Sequence, residues 1–329
     1  MRYRTFGDSD VTASEIGFGL WTVSTGWWGD VSDERAIELI RAGFDAGITL
    51  FDSADAYAEG RADRLLARAL ADHRDEITLA TKFGYDITVE HDRTGHRERP
   101  HNWDPAFLRR NLEDTLTRLE TDRIDVYQLH NPRMDAIERD DVWALMDDLV
   151  AEGKIRIYGP AMGPAIGWRD EAVAAFERRR GIRAFHQIFN LLEQDPGNEL
   201  NELARARGVG VMVRVPHSSG LLEGTYDENT TFDGNDHRSH RKREWLTEGL
   251  QKLRKIEFLV TPERTIGQAA LKWVLSAPAV TTVLPNIYDE AQLAEFAAAS
   301  EAPDLTEEEL AAVAELYERN FDLEATPTA

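Results

Sequence analysis

The chain contains no cysteine, which excludes disulfides, thiolate nucleophiles, iron–sulfur clusters and thiolate zinc sites together. No stretch approaches the roughly 18 consecutive apolar residues that span a membrane. The first ten residues lack the apolar segment of a secretion signal, so a cytoplasmic location is expected. Lysine is scarce, with only 6 Lys beside 32 Arg, and the 38 bases face 60 acids for a formal net charge of −22. That charge repels nucleic acid phosphates and anionic lipid, so neither is an expected partner. An acid-rich, Lys-poor surface is suited to concentrated salt, where its self-repulsion is screened, and points to a salt-adapted cytosol. Two phosphate-binding signatures are missing too. Gly17-Phe18-Gly19 lacks the third glycine of a dinucleotide turn, and Gly153-Lys154 is followed by Ile155 instead of a hydroxyl residue.

What is present favours a large folded core: 329 residues, 42% of them hydrophobic and 9% aromatic. Strand-like runs occupy Ile16–Leu20, Ile48–Phe51, Ile77–Lys82, Ile124–Leu129, Ile155–Tyr158, Ala184–Ile188, Val209–Val215 and Val280–Leu284, and helix-period segments follow each one. Caps mark some helix starts, among them Ser32 or Asp33 and the pair Asp104-Pro105. Eight strands, each followed by a helix, predict an α/β fold of the (β/α)8 TIM barrel type. The expected accessories are an N-terminal β-hairpin over residues 2–15, a long connection from His217 to Thr261 after the seventh strand, and an extra C-terminal helix opening at Leu305-Thr306-Glu307. One domain spanning residues 1–329 is expected.

In such a barrel, polar residues at the C-terminal ends of strands form the mouth where chemistry occurs. The second strand runs into Asp52, the third into Lys82 and the fourth into His130, with Tyr57 on the loop beyond Asp52. Singly, a strand-end Asp caps a turn and a lone His is a satisfied core group. Together they have a chemical use. A Tyr hydroxyl, with a pKa near 10, is a poor proton donor at neutral pH. A nearby ammonium, held by a carboxylate, is expected to lower that pKa, while a neutral His orients a carbonyl oxygen. A metal centre on Asp52 and His130 lacks a second histidine at a matched strand end, so no metal is expected.

At these residues the sequence resembles the aldo-keto reductase superfamily. The strings are Gly17-Phe18-Gly19-Leu20-Trp21, Phe51-Asp52-Ser53-Ala54-Asp55-Ala56-Tyr57, Ala80-Thr81-Lys82-Phe83-Gly84, Asp125-Val126-Tyr127-Gln128-Leu129-His130, Gln187-Ile188-Phe189-Asn190, Ser219-Gly220-Leu221-Leu222 and Leu284-Pro285-Asn286. The resemblance implies a catalytic tetrad of Asp52, Tyr57, Lys82 and His130, and NADP or NAD lying extended across the barrel mouth. It places the cofactor against Trp21, Gln187, Arg214, His217, Ser219, Gly220, Asn286, Tyr288 and Gln292. The implied activity interconverts a small-molecule carbonyl (aldehyde, ketone or sugar) and an alcohol by hydride transfer, with Tyr57 as general acid or base. A redox-silent regulatory or binding subunit is the alternative.

Three departures from the family pattern stand out. Ala161-Met162 occupies the place of a Ser-Asn pair that holds the nicotinamide carboxamide, although Gln187, the third contact, is kept. Arg214 takes the position of an aromatic residue that stacks on the nicotinamide; it either stacks there as a planar cation or turns away to pair with an acid. The segment Asn286–Gln292 carries no base and two acids, so the usual 2′-phosphate clamp is not evident. Residues 236–255 hold seven bases against three acids. They form either a solvated basic helix facing an acidic surface or the source of the missing cation. Ser218-Ser219-Gly220 is expected to present backbone amides to the pyrophosphate. Trp21, Trp27 and Trp28 either wall a substrate pocket or cover the hairpin side.

Overall fold

The computed structural model describes residues 1–90, 98–163, 168–234 and 236–323. Eight parallel strands lie side by side in chain order: β3 (Phe18–Gly19), β4 (Leu50–Asp52), β5 (Thr78–Phe83), β6 (Ile124–His130), β7 (Ile155–Ala161), β8 (Ala184–Ile188), β9 (Gly210–Arg214) and β10 (Val280–Leu284). The ring closes where Ile16 bridges Val283 in parallel. There Gly17 N donates to Val283 O at 2.8 Å and Val283 N to Glu15 O at 2.8 Å. This closure explains why β3 is shorter than the predicted run from Ile16. Residues 15–17 give their hydrogen bonds to the last strand, and Phe18–Gly19 give theirs to β4.

Before the barrel stands an antiparallel hairpin, β1 (Tyr3–Thr5) and β2 (Thr12–Ser14). Its apolar residues Phe6, Val11 and Ala13 join Leu50, Ala80, Val126, Ile157, Ala184 and Met212 in one buried cluster. Those strand residues point into the barrel, so the hairpin plugs the N-terminal end and leaves the C-terminal end as the mouth. Outward strand residues pack against the helices in a second, larger core; the Phe18 and Phe51 rings stack there at 6.0 Å.

Helix starts follow the expected caps. Ser32 accepts from Arg35 N, Asp104 from Phe107 N, and Thr306 forms a capping box with Glu309 at the start of the extra helix Glu307–Glu318. Two short helices escaped the periodicity reading, Trp21–Ser24 and Met134–Ile137, each a single turn with too few residues to show a repeat. The long connection after β9 contains the helix Arg243–Lys255. Among the described residues no helix is long and apolar enough to cross a membrane.

Candidate active site

β4, β5 and β6 end at the same rim, and each contributes one polar side chain to it. Lys82 Nζ lies 2.5 Å from Asp52 Oδ2 and donates to Ser53 O at 2.9 Å, so the ammonium is held at two points. Gln128, also on β6, donates to Asp52 Oδ1 at 3.3 Å and through Oε1 meets His186 Nδ1 at 3.0 Å. Because the Gln128 amide donates to Asp52, its oxygen must accept, and the His186 proton sits on Nδ1. Lys82 Nζ reaches over the Tyr57 ring, 4.9 Å from its centre. The Tyr57 ring meets His130 edge to face at 5.8 Å and 80°. The four residues picked from strand ends and the following loop are thus neighbours.

Electrostatics assign their protonation. Burial, then the charges of Lys82 and Arg214, hold His130 well below the ordinary histidine range, so it is neutral. Burial opposes charge on Lys82, but the facing Asp52 and Tyr57 outweigh it and raise its pKa. Tyr57 departs from expectation. Lys82 pulls its pKa down, yet burial is the larger influence and the phenol ends above its ordinary value. The proton therefore stays on Tyr57 until a strongly basic oxygen reaches it.

An aromatic wall that sequence reasoning missed continues from His130. Tyr85 packs edge-on to His130 at 4.7 Å, His101 stacks on Tyr85 at 4.3 Å, and Trp103 stacks on His101 at 4.9 Å. His101 Nε2 bonds the backbone oxygen of His130 at 2.9 Å, tying the wall to β6. Tyr85 lies just past β5 and was legible as a mouth residue; His101 and Trp103 follow a long polar loop and carried no signal.

The residues named for the cofactor fall into two groups. Around β7 to β9, Gln187 donates to Asn201 Oδ1 at 2.9 Å while its own Oε1 is buried without a partner among the described residues. Arg214 ends β9 with its guanidinium on the backbone oxygen of Met162. Among the described residues it is bonded to a carbonyl and not to an acid, and its charge acts on Tyr57 and His130. Further out, Ser219 Oγ accepts from Arg241 Nη2 at 3.0 Å. Asn286 Oδ1 accepts from Thr22 at 3.2 Å, and Gln292 links Tyr288 N at 3.2 Å to Glu223 at 2.9 Å. Trp21 meets Trp28 at 5.9 Å and His237 at 5.3 Å, so the tryptophans are roofed by the long connection. Arg238 completes that roof over Trp28 at 4.1 Å.

Two groups expected at the cofactor are engaged within the protein. The amides of Ser218 and Gly220 donate to Val215 O and His217 O, closing their own turn. Positive φ at Ser218, Ser219 and Gly220 makes that turn tight enough to consume these donors. His217 faces the protein body: it is 1% exposed, its Nε2 lies 3.0 Å from Gly267 O, and its ring packs on Phe296 at 4.6 Å. Burial depresses its pKa to about 4, so it is a neutral packing group. Of the bases in residues 236–255, Arg254 pairs with Glu228 on the exposed surface, whereas Arg238 pairs with Asp236 in a largely enclosed position. Among the described residues, Arg241 alone of these bases is bonded to a residue named for the cofactor, and its Nε is buried without a partner.

The residues present fit a nicotinamide cofactor on two grounds, the unpartnered Gln187 oxygen and the Arg241 cation at Ser219. Comparison with known proteins agrees. The aldo/keto reductase family model matches residues 15–318. The aldo-keto reductase YhdN of Bacillus subtilis is 30% identical over 86% of this chain and 84% of its own. The NADH-specific methylglyoxal reductase of Escherichia coli is 27% identical over 91% and 93%. The solved glycerol dehydrogenase of Gluconobacter oxydans superposes with a TM-score of 0.82 at 25% identity, covering 97% of this chain and 96% of that one. With strand order, mouth and family model in agreement, the chain belongs to the aldo/keto reductase family, whose members are NAD(P)-dependent oxidoreductases of carbonyls and alcohols.

Proposed function

We propose that this chain reduces a small carbonyl compound at the mouth formed by Asp52, Tyr57, Lys82 and His130, in a salt-rich cytoplasm. One observation carries the reading: a buried ammonium, pinned by Asp52, sits over the ring of a protonated Tyr57 whose other neighbour is a neutral His130. A reduced nicotinamide, when bound, supplies the hydride to the carbonyl carbon. His130 orients the carbonyl oxygen, and Tyr57 delivers its proton as the π pair moves onto that oxygen. Lys82 then stabilises the phenolate left behind, and Asp52 keeps Lys82 charged and in place. Reversal of the same transfers serves alcohol oxidation. General acid catalysis of this kind contributes about 10²–10⁴-fold.

Gln187 and Arg241 support the cofactor, the first on β8 and the second beside Ser219. The names of two relatives, a methylglyoxal reductase and a glycerol dehydrogenase, favour a small polar carbonyl such as a 2-oxoaldehyde or a sugar-like ketone. The test is consumption of reduced cofactor, followed by its near-ultraviolet band, across aldehydes, ketones and sugars at low and high salt. Turnover of at least one such carbonyl is expected. Cofactor binding with no turnover of any would favour a redox-silent role.

A further inference from the structure

We infer that Arg214 is a cation at the nicotinamide position that grips the ring's carboxamide and biases binding toward the reduced cofactor. This rests on the cofactor reading above. The first observation is position. Arg214 ends β9, and its guanidinium crosses to the carbonyl of Met162, at the end of β7. Met162 is itself anchored by its N–H to His186 O at 2.9 Å, on the strand between. The guanidinium therefore stands where the chain lacks the side-chain donors that Ala161 and Met162 do not provide. Met162 and Gln187 line one small cleft with Trp168, Ile188 and Leu200. A primary carboxamide offers one oxygen and two N–H groups. The donors of Arg214 not used on Met162 match the oxygen, and the unpartnered Gln187 Oε1 matches an N–H.

The second observation is charge. Among the described residues no carboxylate pairs with Arg214, and its charge reaches Tyr57, Asp52 and Tyr85. Hydride transfer needs the nicotinamide carbon and the carbonyl carbon about 3–3.5 Å apart, and the carbonyl oxygen must touch Tyr57. A cation acting on Tyr57 across the same mouth is therefore also close to the ring. The reduced ring is neutral and the oxidised ring is cationic, so an unneutralised guanidinium favours the reduced form.

The experiment measures dissociation constants for NADH and NAD+ (or NADPH and NADP+, whichever pair binds tighter) and for ADP-ribose, at fixed salt without substrate. The proteins are wild type, Arg214→Met and Arg214→Lys. Arg214→Met should lower the ratio of oxidised to reduced dissociation constants by about fivefold, a fraction of the bare charge–charge interaction. Arg214→Lys, which keeps the charge and loses the planar donors, should weaken both forms while leaving the ratio near that of wild type. ADP-ribose, which has no nicotinamide, should bind all three alike. If the methionine variant does not fold, Arg214→Gln removes the same charge and is read the same way. An unmoved ratio in the uncharged variant, or an equal loss of ADP-ribose affinity, overturns the inference and leaves the cofactor reading intact. Wild type that binds neither nicotinamide form contradicts both.

Discussion

Lys82 Nζ and Asp52 Oδ2 form an ion pair 2.5 Å long, with side-chain exposures of 1% and 5%. A pair this enclosed is held by mutual need. Removing one partner leaves the other charge buried, which typically destabilises by about 3–5 kcal/mol. Lys82→Met is therefore expected to lose about that much in urea unfolding, along with most turnover. Changing both, as Lys82→Met with Asp52→Leu, should recover much of the stability and none of the turnover. A double variant as unstable as the single one would show that the pair's geometry, and not its charge balance, holds this rim.

Asp55 gives a prediction about pH. Its side chain is fully buried beside Asn111, and burial raises its pKa from 3.8 to about 7. The folded protein thus holds a proton here that the unfolded chain releases. This contribution is complete below about pH 4, declines as pH rises, and is gone above about pH 7. Asp55→Asn cannot ionise, so its stability should fall less than that of wild type between pH 5 and 8. The difference is expected at about 2 kcal/mol, from unfolding curves at the two pH values. Parallel pH profiles would show that Asp55 is not protonated in the folded state.

Much of this site was legible because apolar strands end abruptly in polar residues. Asp52, Lys82 and His130 each close a buried run, so their placement follows once the strands are counted. Less legible were features set by side-chain direction or by contacts across strands. Arg214 was located at the right strand end, but its bond to Met162 spans from β9 to β7 and leaves no trace in local sequence. His217 and the Ser218 and Gly220 amides lie in or just before a family-like string, yet their bonds run within the protein. The aromatic wall of His101 and Trp103 depends on His101 bonding the backbone oxygen of His130, far away in sequence. No periodicity describes such a contact.

The acidic surface makes its own prediction. Net repulsion from a charge of −22 is relieved by salt, whereas exposed pairs such as Arg178–Glu138 are each worth little and are weakened by it. The thermal midpoint should therefore rise along a potassium chloride series from low to molar concentration. A flat or falling series would contradict the salt-adapted setting.

Arg241 is expected to serve the cofactor's phosphates, because it reaches Ser219 from outside the barrel. Arg241→Ala should weaken NADH and ADP-ribose alike, by about tenfold for a lost charged hydrogen bond. Calorimetric titration of both ligands checks this, and unchanged affinity for both would return Arg241 to the solvated basic face.

The central claim is that Tyr57 donates the proton, and its direct test is Tyr57→Phe. The substitution removes one hydroxyl and keeps the ring against Lys82 and His130. Steady-state turnover on the best carbonyl substrate and the dissociation constant of the reduced cofactor are measured side by side. The account predicts turnover lower by about 10²–10⁴-fold with the dissociation constant nearly unchanged. Turnover within about threefold of wild type would contradict it, because no general acid loses its proton donor so lightly.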